Sequence, residues 1–310
     1  MKTLLIINPY SRSGKSAKLA NICTKYLRER NFGFETTELK NFDDAFKFSQ
    51  EANLSGYNNI IALGGDGTIN KVLNGFYDSD GNRISDANFG VIYTGTSPDF
   101  CKSYGIPTNI IKATDALINQ RVREIPIGMI KFRISLDSNK FTTNYFACCA
   151  NIGLGASLAR KANSGVRKYF GDFAGTLISL LQLLSKYRGT NYSFIRDGVE
   201  SNQQNVINIS IGITNYIASG IKVSRKKDLE DSEMYLLTTA NIRLSNVLKL
   251  LYRVYSGKEF QNSDFLFLNY AEKIEIQQNY IHPDIEFDGD PAGFLPCSIE
   301  MAKDKLKIIY

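Results

Sequence analysis

The strongest constraint on the fold of this chain is a continuous apolar run that ends in a cluster of glycines. The run is Asn59-Ile60-Ile61-Ala62-Leu63, and Gly64-Gly65-Asp66-Gly67-Thr68 follows it directly. A strand that is apolar on both faces is typical of the centre of a parallel sheet covered by helices. Because Ile69 to Phe76 has helical spacing, this segment predicts a strand, a glycine-rich loop and a helix in succession.

The first 130 residues repeat this succession. Leu4 to Ile7 is a short apolar run before Asn8-Pro9 and a Ser/Gly loop, and Phe89 to Tyr93 is followed by Gly95 and Thr96. The carboxyl ends of parallel strands meet at one edge of an open α/β sheet, where such folds bind their ligands. We therefore predict an open α/β domain over residues 1–130, with its ligand site at these loops.

Beyond residue 130 the pattern changes to β-branched and aromatic segments separated by polar turns. Clear examples are Met129 to Leu136, Thr142 to Ala150, Val206 to Thr214 and Met234 to Ala240. Such segments predict a largely antiparallel β-sandwich domain. We assign it to residues 131–295 and leave open whether the residues after 295 return to the first domain.

The composition of the chain excludes several classes of site. Its 310 residues include one histidine, His282, and five cysteines, and the net charge is +6. One histidine excludes a conventional His-ligated zinc cluster, and cysteines without a C-x-x-C pair favour buried thiols in a reducing cytosol. The charge favours anionic partners such as nucleotide phosphates or acidic lipid head groups, or serves solubility alone. Since no stretch reaches the roughly 18 apolar residues of a spanning helix, we expect a cytoplasmic protein whose membrane contact is peripheral. We expect no nucleic-acid partner.

The glycine cluster has the chemistry of a phosphate site. Gly64, Gly65 and Gly67 allow a phosphate to approach the backbone, and the N-terminus of the following helix favours an anion. The carboxylate of Asp66 would repel that phosphate unless a cation lies between them, which makes Asp66 a candidate Mg²⁺ contact through water. The alternative is a glycine-rich turn with Asp66 as a helix cap. Three glycines around one Asp and Thr68 favour the phosphate site.

These motifs resemble the diacylglycerol kinase catalytic domain family, which includes bacterial lipid kinases and sphingosine kinases. Gly-Gly-Asp-Gly-Thr followed by an apolar residue and Asn70 is the hallmark of that family. Further matching segments occur in the same order: Asn8-Pro9 with Ser13 and Gly14, Gly95-Thr96-Ser97-Pro98-Asp99-Phe100, Asn151-Ile152-Gly153, and Asp288-Gly289-Asp290.

The resemblance implies an ATP- and Mg²⁺-dependent kinase that phosphorylates the hydroxyl of a diacylglycerol-like or sphingoid- or ceramide-like lipid at a membrane surface. It implies that Asp288 is the general base and that Asp66, Asp99 and Asp290 organise Mg²⁺. It also implies a structural Mg²⁺ loop near residues 225–234, where Asp231 is retained. The implied nucleotide-site residues are Asn8, Ser13, Gly14, Gly64, Gly65, Gly67, Thr68, Asn70, Gly95 and Thr96.

The sequence departs from the family pattern at several positions. Ser97-Pro98 replaces Gly-Asn, Lys71 replaces a Glu, and Pro126 stands where an Asp is common. Two alternatives to a lipid kinase therefore stay open: an NAD kinase, which shares Gly-Gly-Asp-Gly-Thr, and a non-catalytic lipid or nucleotide sensor. An apolar helix over Phe173 to Tyr187 is either core packing or the wall of an acyl-chain cleft.

Overall fold

A computed structural model of the chain describes residues 1–95, 98–161, 189–217, 221–223, 232–242, 246, 249, 262–277, 285–288 and 290–310. The elements of the first part are β1 (Thr3–Ile7), a 3-10 turn (Ser11–Gly14), α1 (Lys15–Glu29), β2 (Glu35–Glu38), α2 (Asp44–Leu54), β3 (Asn59–Gly64), α3 (Asp66–Asn74), β4 (Asn88–Tyr93), α4 (Asp99–Ser103), α5 (Ile110–Asn119) and β5 (Val122–Ile125).

The elements of the second part are mostly strands. They are β6 (Gly128–Arg133), β7 (Phe141–Phe146), β8 (Cys149–Gly153), α6 (Leu154–Lys161), β9 (Thr190–Arg196), β10 (Val199–Gly212), β11 (Tyr216–Ile217), β12 (Ile221–Lys222), β13 (Met234–Ala240), β14 (Leu266–Ala271), β15 (Ile274–Ile276), β16 (Ile285–Phe287), β17 (Asp290–Pro291), β18 (Phe294–Met301) and β19 (Leu306–Ile309).

The first sheet is an open, largely parallel sheet with helices on both faces. Its strand order is β2-β1-β3-β4-β19-β5, and only β5 runs antiparallel to its neighbour. Every residue of β3 is buried. Ile60 packs with α2 and α3 on one face, and Ile61 packs with α1 and α5 on the other. Burial on both faces explains why this strand is a continuous apolar run.

In the described part of the chain, the second sheet has eleven strands, and all of their pairings are antiparallel. Its main path is β17-β16-β8-β10-β9-β15-β18-β6-β7, with β13 paired to β10 and β14 to β13. The predicted fold class, an α/β domain with a parallel sheet followed by an antiparallel β domain, is confirmed. The last strand, β19, lies in the first sheet between β4 and β5.

The single strand predicted over Thr142 to Ala150 is wrong, because the structure divides it into β7 and β8. The break falls at Ala147 and Cys148, whose backbone N–H groups donate to the carboxylate of Asp288 instead of to a neighbouring strand. Cys148 and Cys149 pack in different apolar clusters, as expected for neighbours that point to opposite faces. All five cysteines are buried and free.

A buried set of hydrogen bonds joins the helix after the glycine cluster to the second sheet. The side-chain amides of Asn70 and Asn74 each donate to the Tyr145 carbonyl oxygen at 2.9 Å. The Tyr145 N–H donates to Asn74 Oδ1 at 2.8 Å. The Tyr145 ring also stacks on Tyr77, with 4.5 Å between ring centroids. These contacts fix α3 against β7.

Several sequence predictions fall outside the described residues. They are the apolar helix over residues 173–187, the loop near residues 225–231 with Asp231, His282, Thr96 and Ser97. Within the residues that are described, no helix is both long and apolar enough to cross a membrane.

Candidate active site

The glycine cluster forms a tight turn between β3 and α3. A Cβ atom on Gly64 would lie 2.5 Å from the Cβ of Thr68, so no other residue fits at this position without a shift. Gly65 precedes the first helical residue, Asp66, and its carbonyl accepts from the Ile69 N–H at 3.0 Å. The N-terminus of α3 therefore begins directly at the sheet edge, with its free N–H groups there.

The loops after β3 and β4 are in backbone contact. A Cβ atom on Gly95 would lie 3.0 Å from the Cα of Gly65 and 2.6 Å from the Tyr93 hydroxyl oxygen. The Thr94 N–H donates to the Gly64 carbonyl at 2.8 Å. The two glycine-rich loops of the sequence thus meet at the carboxyl edge of the sheet, as the topology of such folds requires.

We expect Gly95→Ala to weaken nucleotide binding by about tenfold or more, because the added methyl group must push the two loops apart. Gly33→Ala is the matched control, since a Cβ there meets nothing within 4 Å and the backbone is not left-handed. Calorimetric titration with an ATP analogue measures both. Equal affinities in the two variants would contradict a ligand site at this contact.

The first loop is tied to the same edge through Asn8. Its side-chain amide donates to Thr68 Oγ1 at 2.9 Å, and its backbone N–H donates to the Leu63 carbonyl at 2.9 Å. The buried hydroxyls of Ser16 and Thr94 lie 2.9 Å apart. Gly14, with φ 83°, precedes α1. The structure therefore brings Asn8 together with Gly64, Gly65, Thr68 and Gly95.

Three carboxylates from separate segments share this site: Asp66 at the start of α3, Asp99 at the start of α4 and Asp288 after β16. The pKa of Asp66 is raised to about 7, mainly by burial and also by the negative charges of Asp99 and Asp288, while a hydrogen bond from Tyr93 opposes the rise. The Tyr93 hydroxyl donates to Asp66 Oδ2 at 2.9 Å. The site is therefore electronegative at its centre.

The carboxylate of Asp288 accepts four hydrogen bonds. Its Oδ2 accepts from the Ala147 N–H at 2.7 Å and from the Asn70 amide at 3.3 Å. Its Oδ1 accepts from the N–H groups of Cys148 at 3.0 Å and Cys149 at 3.2 Å. Burial raises the pKa of Asp288, and these four hydrogen bonds oppose the rise. Because a carboxylate has about four acceptor positions, all of them are occupied here.

A second buried polar chain supports the strand that carries Asp288. Asn151 donates to Glu286 Oε2 at 2.9 Å, and Ser210 donates to Asn151 Oδ1 at 2.5 Å. Glu286 lies two residues before Asp288 in β16, which pairs with β8. The motif Asn151-Ile152-Gly153 thus positions β16 from the neighbouring strand.

The remaining predicted site residues differ in what the structure shows of them. Asp290 lies in β17 and pairs with Phe287 of β16, so Asp288 lies in the short turn between the two strands. Lys71, where the family pattern has Glu, pairs with Asp43 at 2.9 Å on the side of α2. Pro126 lies between β5 and β6 and offers no charge. The departure at Lys71 therefore leaves the three central carboxylates unaltered.

Sequence reasoning missed Tyr93 and the three N–H groups that hold Asp288. Tyr93 is the last residue of a predicted strand whose carboxyl end lies at the ligand edge, and that position was a usable signal. The N–H groups of residues 147–149 carry no signal in the sequence, because any residue type supplies them.

The residues fit Mg²⁺ by their chemistry, although they do not form a closed cage. In the described part of the chain, no three His, Cys, Asp or Glu side chains are placed to hold a metal together. Mg²⁺ usually binds one or two carboxylates and keeps its remaining ligands as water and phosphate oxygens. Among the described residues, the charged groups that shift the Asp66 pKa are two carboxylates, those of Asp99 and Asp288. A cation held through water at Asp66 fits this arrangement.

Comparison with known proteins accounts for both halves of the chain. Residues 2–130 match the family model of the diacylglycerol kinase catalytic domain. Residues 149–310 match the model described as the YegS C-terminal NAD kinase beta sandwich-like domain. This chain belongs to the diacylglycerol kinase catalytic domain family. The prediction of a lipid kinase is confirmed at this level.

Relatives of this lipid kinase match it along almost its whole length. A diacylglycerol kinase of Bacillus subtilis (strain 168) is 27% identical over 303 residues, covering 94% of this chain and 90% of the relative. A diacylglycerol kinase of Staphylococcus carnosus (strain TM300) is 24% identical over 306 residues, covering 98% of this chain and 93% of the relative.

Solved structures share the fold of this lipid kinase. A putative diacylglycerol kinase from Bacillus anthracis str. Sterne has a TM-score of 0.74 at 20% identity, covering 100% of this chain and 96% of that chain. Yeast NADH kinase complexed with NADH has a TM-score of 0.51 at 10% identity, covering 100% of this chain and 83% of that chain. At these identities the likeness concerns the fold alone.

Proposed function

We propose that this lipid kinase transfers the γ-phosphate of Mg²⁺-bound ATP to the hydroxyl of a diacylglycerol-like lipid. One observation supports this function above all: Asp66, Asp99 and Asp288 share one site beside two glycine-rich loops in contact. Phosphoryl transfer depends on positioning and charge neutralisation more than on covalent chemistry. The names of the curated relatives favour a glycerolipid acceptor over a sphingoid- or ceramide-like lipid.

We assign the nucleotide to the edge formed by the three loops. The N–H groups at the start of α3 favour a phosphate there, and Asn8 holds Thr68 in place for the same contact. Asp66, Asp99 and Asp290 are the proposed Mg²⁺ contacts. The bound ion supplies neutralisation of the charge on the phosphates. We propose that the kinase acts in the cytoplasm, at the surface of the membrane that holds its acceptor.

Asp288 is the proposed acceptor of the proton from the lipid hydroxyl. All its acceptor positions are occupied, so one donor must give way before a substrate hydroxyl can bind. The longest contact is the one from Asn70 at 3.3 Å. We infer that the hydroxyl replaces this amide, while the N–H groups of residues 147–149 keep the carboxylate in position.

A change at Asn70 tests this role through the pH profile. The Asn70 hydrogen bond lowers the Asp288 pKa, so Asn70→Ala should raise that pKa. If Asp288 is the base, the acid limb of kcat/KM then moves to higher pH. Asn53→Ala is the matched control, because the amide of the buried Asn53 also donates to backbone carbonyl oxygens, those of Ser49 and Gly75, and contacts neither Asn70 nor Asp288. An acid limb that moves equally in both variants would exclude Asp288 as the base.

The direct test of function is transfer of labelled phosphate from ATP to a panel of acceptors. The panel contains diacylglycerol, ceramide and sphingoid-base micelles, and NAD. We expect transfer to diacylglycerol, and transfer to NAD alone would reverse the proposal. ATP binding without Mg²⁺-dependent turnover on any acceptor would instead indicate a sensor.

A further inference from the structure

The hairpin of β6 and β7 forms one margin of the second sheet, where β7 is the edge strand. The two strands pair from Gly128 opposite Phe146 to Arg133 opposite Phe141. The Ile134 N–H donates to the Lys140 carbonyl at 3.0 Å and extends the pairing by one residue. Residues 135–139 connect the strands. We call residues 131–141 the hairpin tip.

The hairpin tip exposes three large apolar side chains. Ile134 is 49% exposed, Leu136 is 40% exposed and Phe141 is 44% exposed. Phe141 lies opposite Arg133, so it shares the face of Arg133, whereas Ile134 is the next residue of the chain and lies on the other face. A flat protein partner would cover only one face of a hairpin. A bilayer can surround the tip and cover apolar side chains on both faces, as this tip requires.

The charges of the hairpin tip complement an anionic surface. It contains the basic residues Lys131, Arg133 and Lys140 against one acid, Asp137, and both lysines are exposed. Arg133 is 7% exposed, and its buried Nε and Nη2 have no hydrogen-bond acceptor within the described chain. Basic residues beside exposed apolar ones are typical of elements that bind anionic phospholipid.

We propose that the hairpin tip docks this kinase onto a bilayer that carries anionic phospholipid. Ile134, Leu136 and Phe141 enter the head-group region, and Lys131 and Lys140 contact lipid phosphates. The inference rests on the proposed function in one respect, because a lipid acceptor explains why the protein must reach a bilayer. Docking itself is measured without turnover.

The test is co-sedimentation of the full chain with vesicles of phosphatidylcholine, with and without phosphatidylglycerol. We expect Ile134→Ser combined with Leu136→Ser to lower vesicle affinity about tenfold. Lys131→Glu combined with Lys140→Glu should lower affinity for phosphatidylglycerol vesicles about tenfold or more, and should not change binding to phosphatidylcholine alone. Val199→Ser is the control for apolar exposure, since Val199 is 66% exposed beside another hairpin turn. Lys112→Glu is the control for charge.

The outcomes separate docking from catalysis. The hairpin variants should keep the wild-type rate on a dispersed short-chain diacylglycerol and lose rate on vesicles. Absence of wild-type binding to vesicles, or equal binding by wild type and the hairpin variants, overturns the proposal. A second outcome also overturns the proposal: the wild type is a dimer in sedimentation equilibrium and the hairpin variants are monomers. In that case the hairpin tip is a contact between two copies of the chain. Hairpin-dependent vesicle binding without lipid phosphorylation would refute the proposed function and leave docking intact.

Discussion

Asp66→Asn is expected to lower phosphate transfer by at least about a thousandfold and to make the ligand-free protein more stable. The loss of transfer follows from removing the carboxylate that lies at the start of α3, where we place the cation and the phosphates. The gain in stability follows because that carboxylate is mostly buried beside the like charges of Asp99 and Asp288. Few substitutions move activity and stability so far in opposite directions.

The gain in stability should depend on pH. The Asp66 pKa is raised from 3.8 to about 7 in the folded chain, so the folded state binds this proton more tightly than the unfolded state. The free energy of unfolding therefore falls as pH rises between these two values. Above about pH 7 the neutral Asn should add about 2 kcal/mol, after allowance for partial exposure of the carboxylate. Below about pH 4 the gain should vanish, because both states are protonated.

Thermal unfolding at acid and alkaline pH, in the presence of a metal chelator, measures this effect. Asp44→Asn is the matched control, because Asp44 is likewise the first residue of a helix but is only half-buried and accepts from the backbone N–H groups of Lys40 and Asn41. It should keep full activity. If Asp66→Asn lost stability at alkaline pH or retained wild-type transfer, the electronegative site would not be where we place it.

Asp288→Ala is expected to abolish transfer and to destabilise the chain by about 4 kcal/mol. The change leaves the N–H groups of residues 147–149 without their acceptor and removes one of the two acceptors of the Asn70 amide. Part of the loss arises from the backbone, since Asp288 has φ 47°, a conformation that Asp and Asn adopt more readily than Ala. Asp288→Asn should therefore lose about half as much stability while also losing transfer.

Urea denaturation measures the loss of stability, and hydrogen exchange of the amides of residues 147–149 locates it. Asp197→Ala is the matched control. Asp197 has φ 49° and accepts from the N–H groups of Glu272 at 3.0 Å and Lys273 at 2.8 Å, but it is exposed. We expect it to lose only about 1 kcal/mol. If the two variants lost equal stability, the backbone hydrogen bonds to Asp288 would contribute no more to the free energy of unfolding than the exposed ones to Asp197.

The sequence predicted the first sheet well because its signals are local. A strand buried on both faces must be apolar throughout, and a strand that turns at once into a helix needs glycine where a Cβ would collide. Both rules apply at Ile60 to Gly65, and the structure has β3 and the tight turn into α3 at these residues. For the second sheet, the sequence predicted the antiparallel arrangement but not the break between β7 and β8.

The break was missed because its cause is remote in the chain. Residues 142–150 have the composition of one strand, and the carboxylate of Asp288, in the turn after β16, draws the N–H groups of Ala147 and Cys148 away from strand pairing. Asp288-Gly289-Asp290 alone has the composition of a surface turn. Its approach to Asn70 exists only after both sheets have formed.

The amino-acid sequence by itself determined the family, the order of the two domains and the identity of the acidic residues, because residue type and local spacing encode these. The tertiary structure decided how the carboxylates are used. Asp66 lies beside like charges and keeps its proton to a higher pH, while Asp288 is clamped by backbone N–H groups. The electrostatic environment of a carboxylate depends on which distant segments pack around it, and no local pattern records that packing.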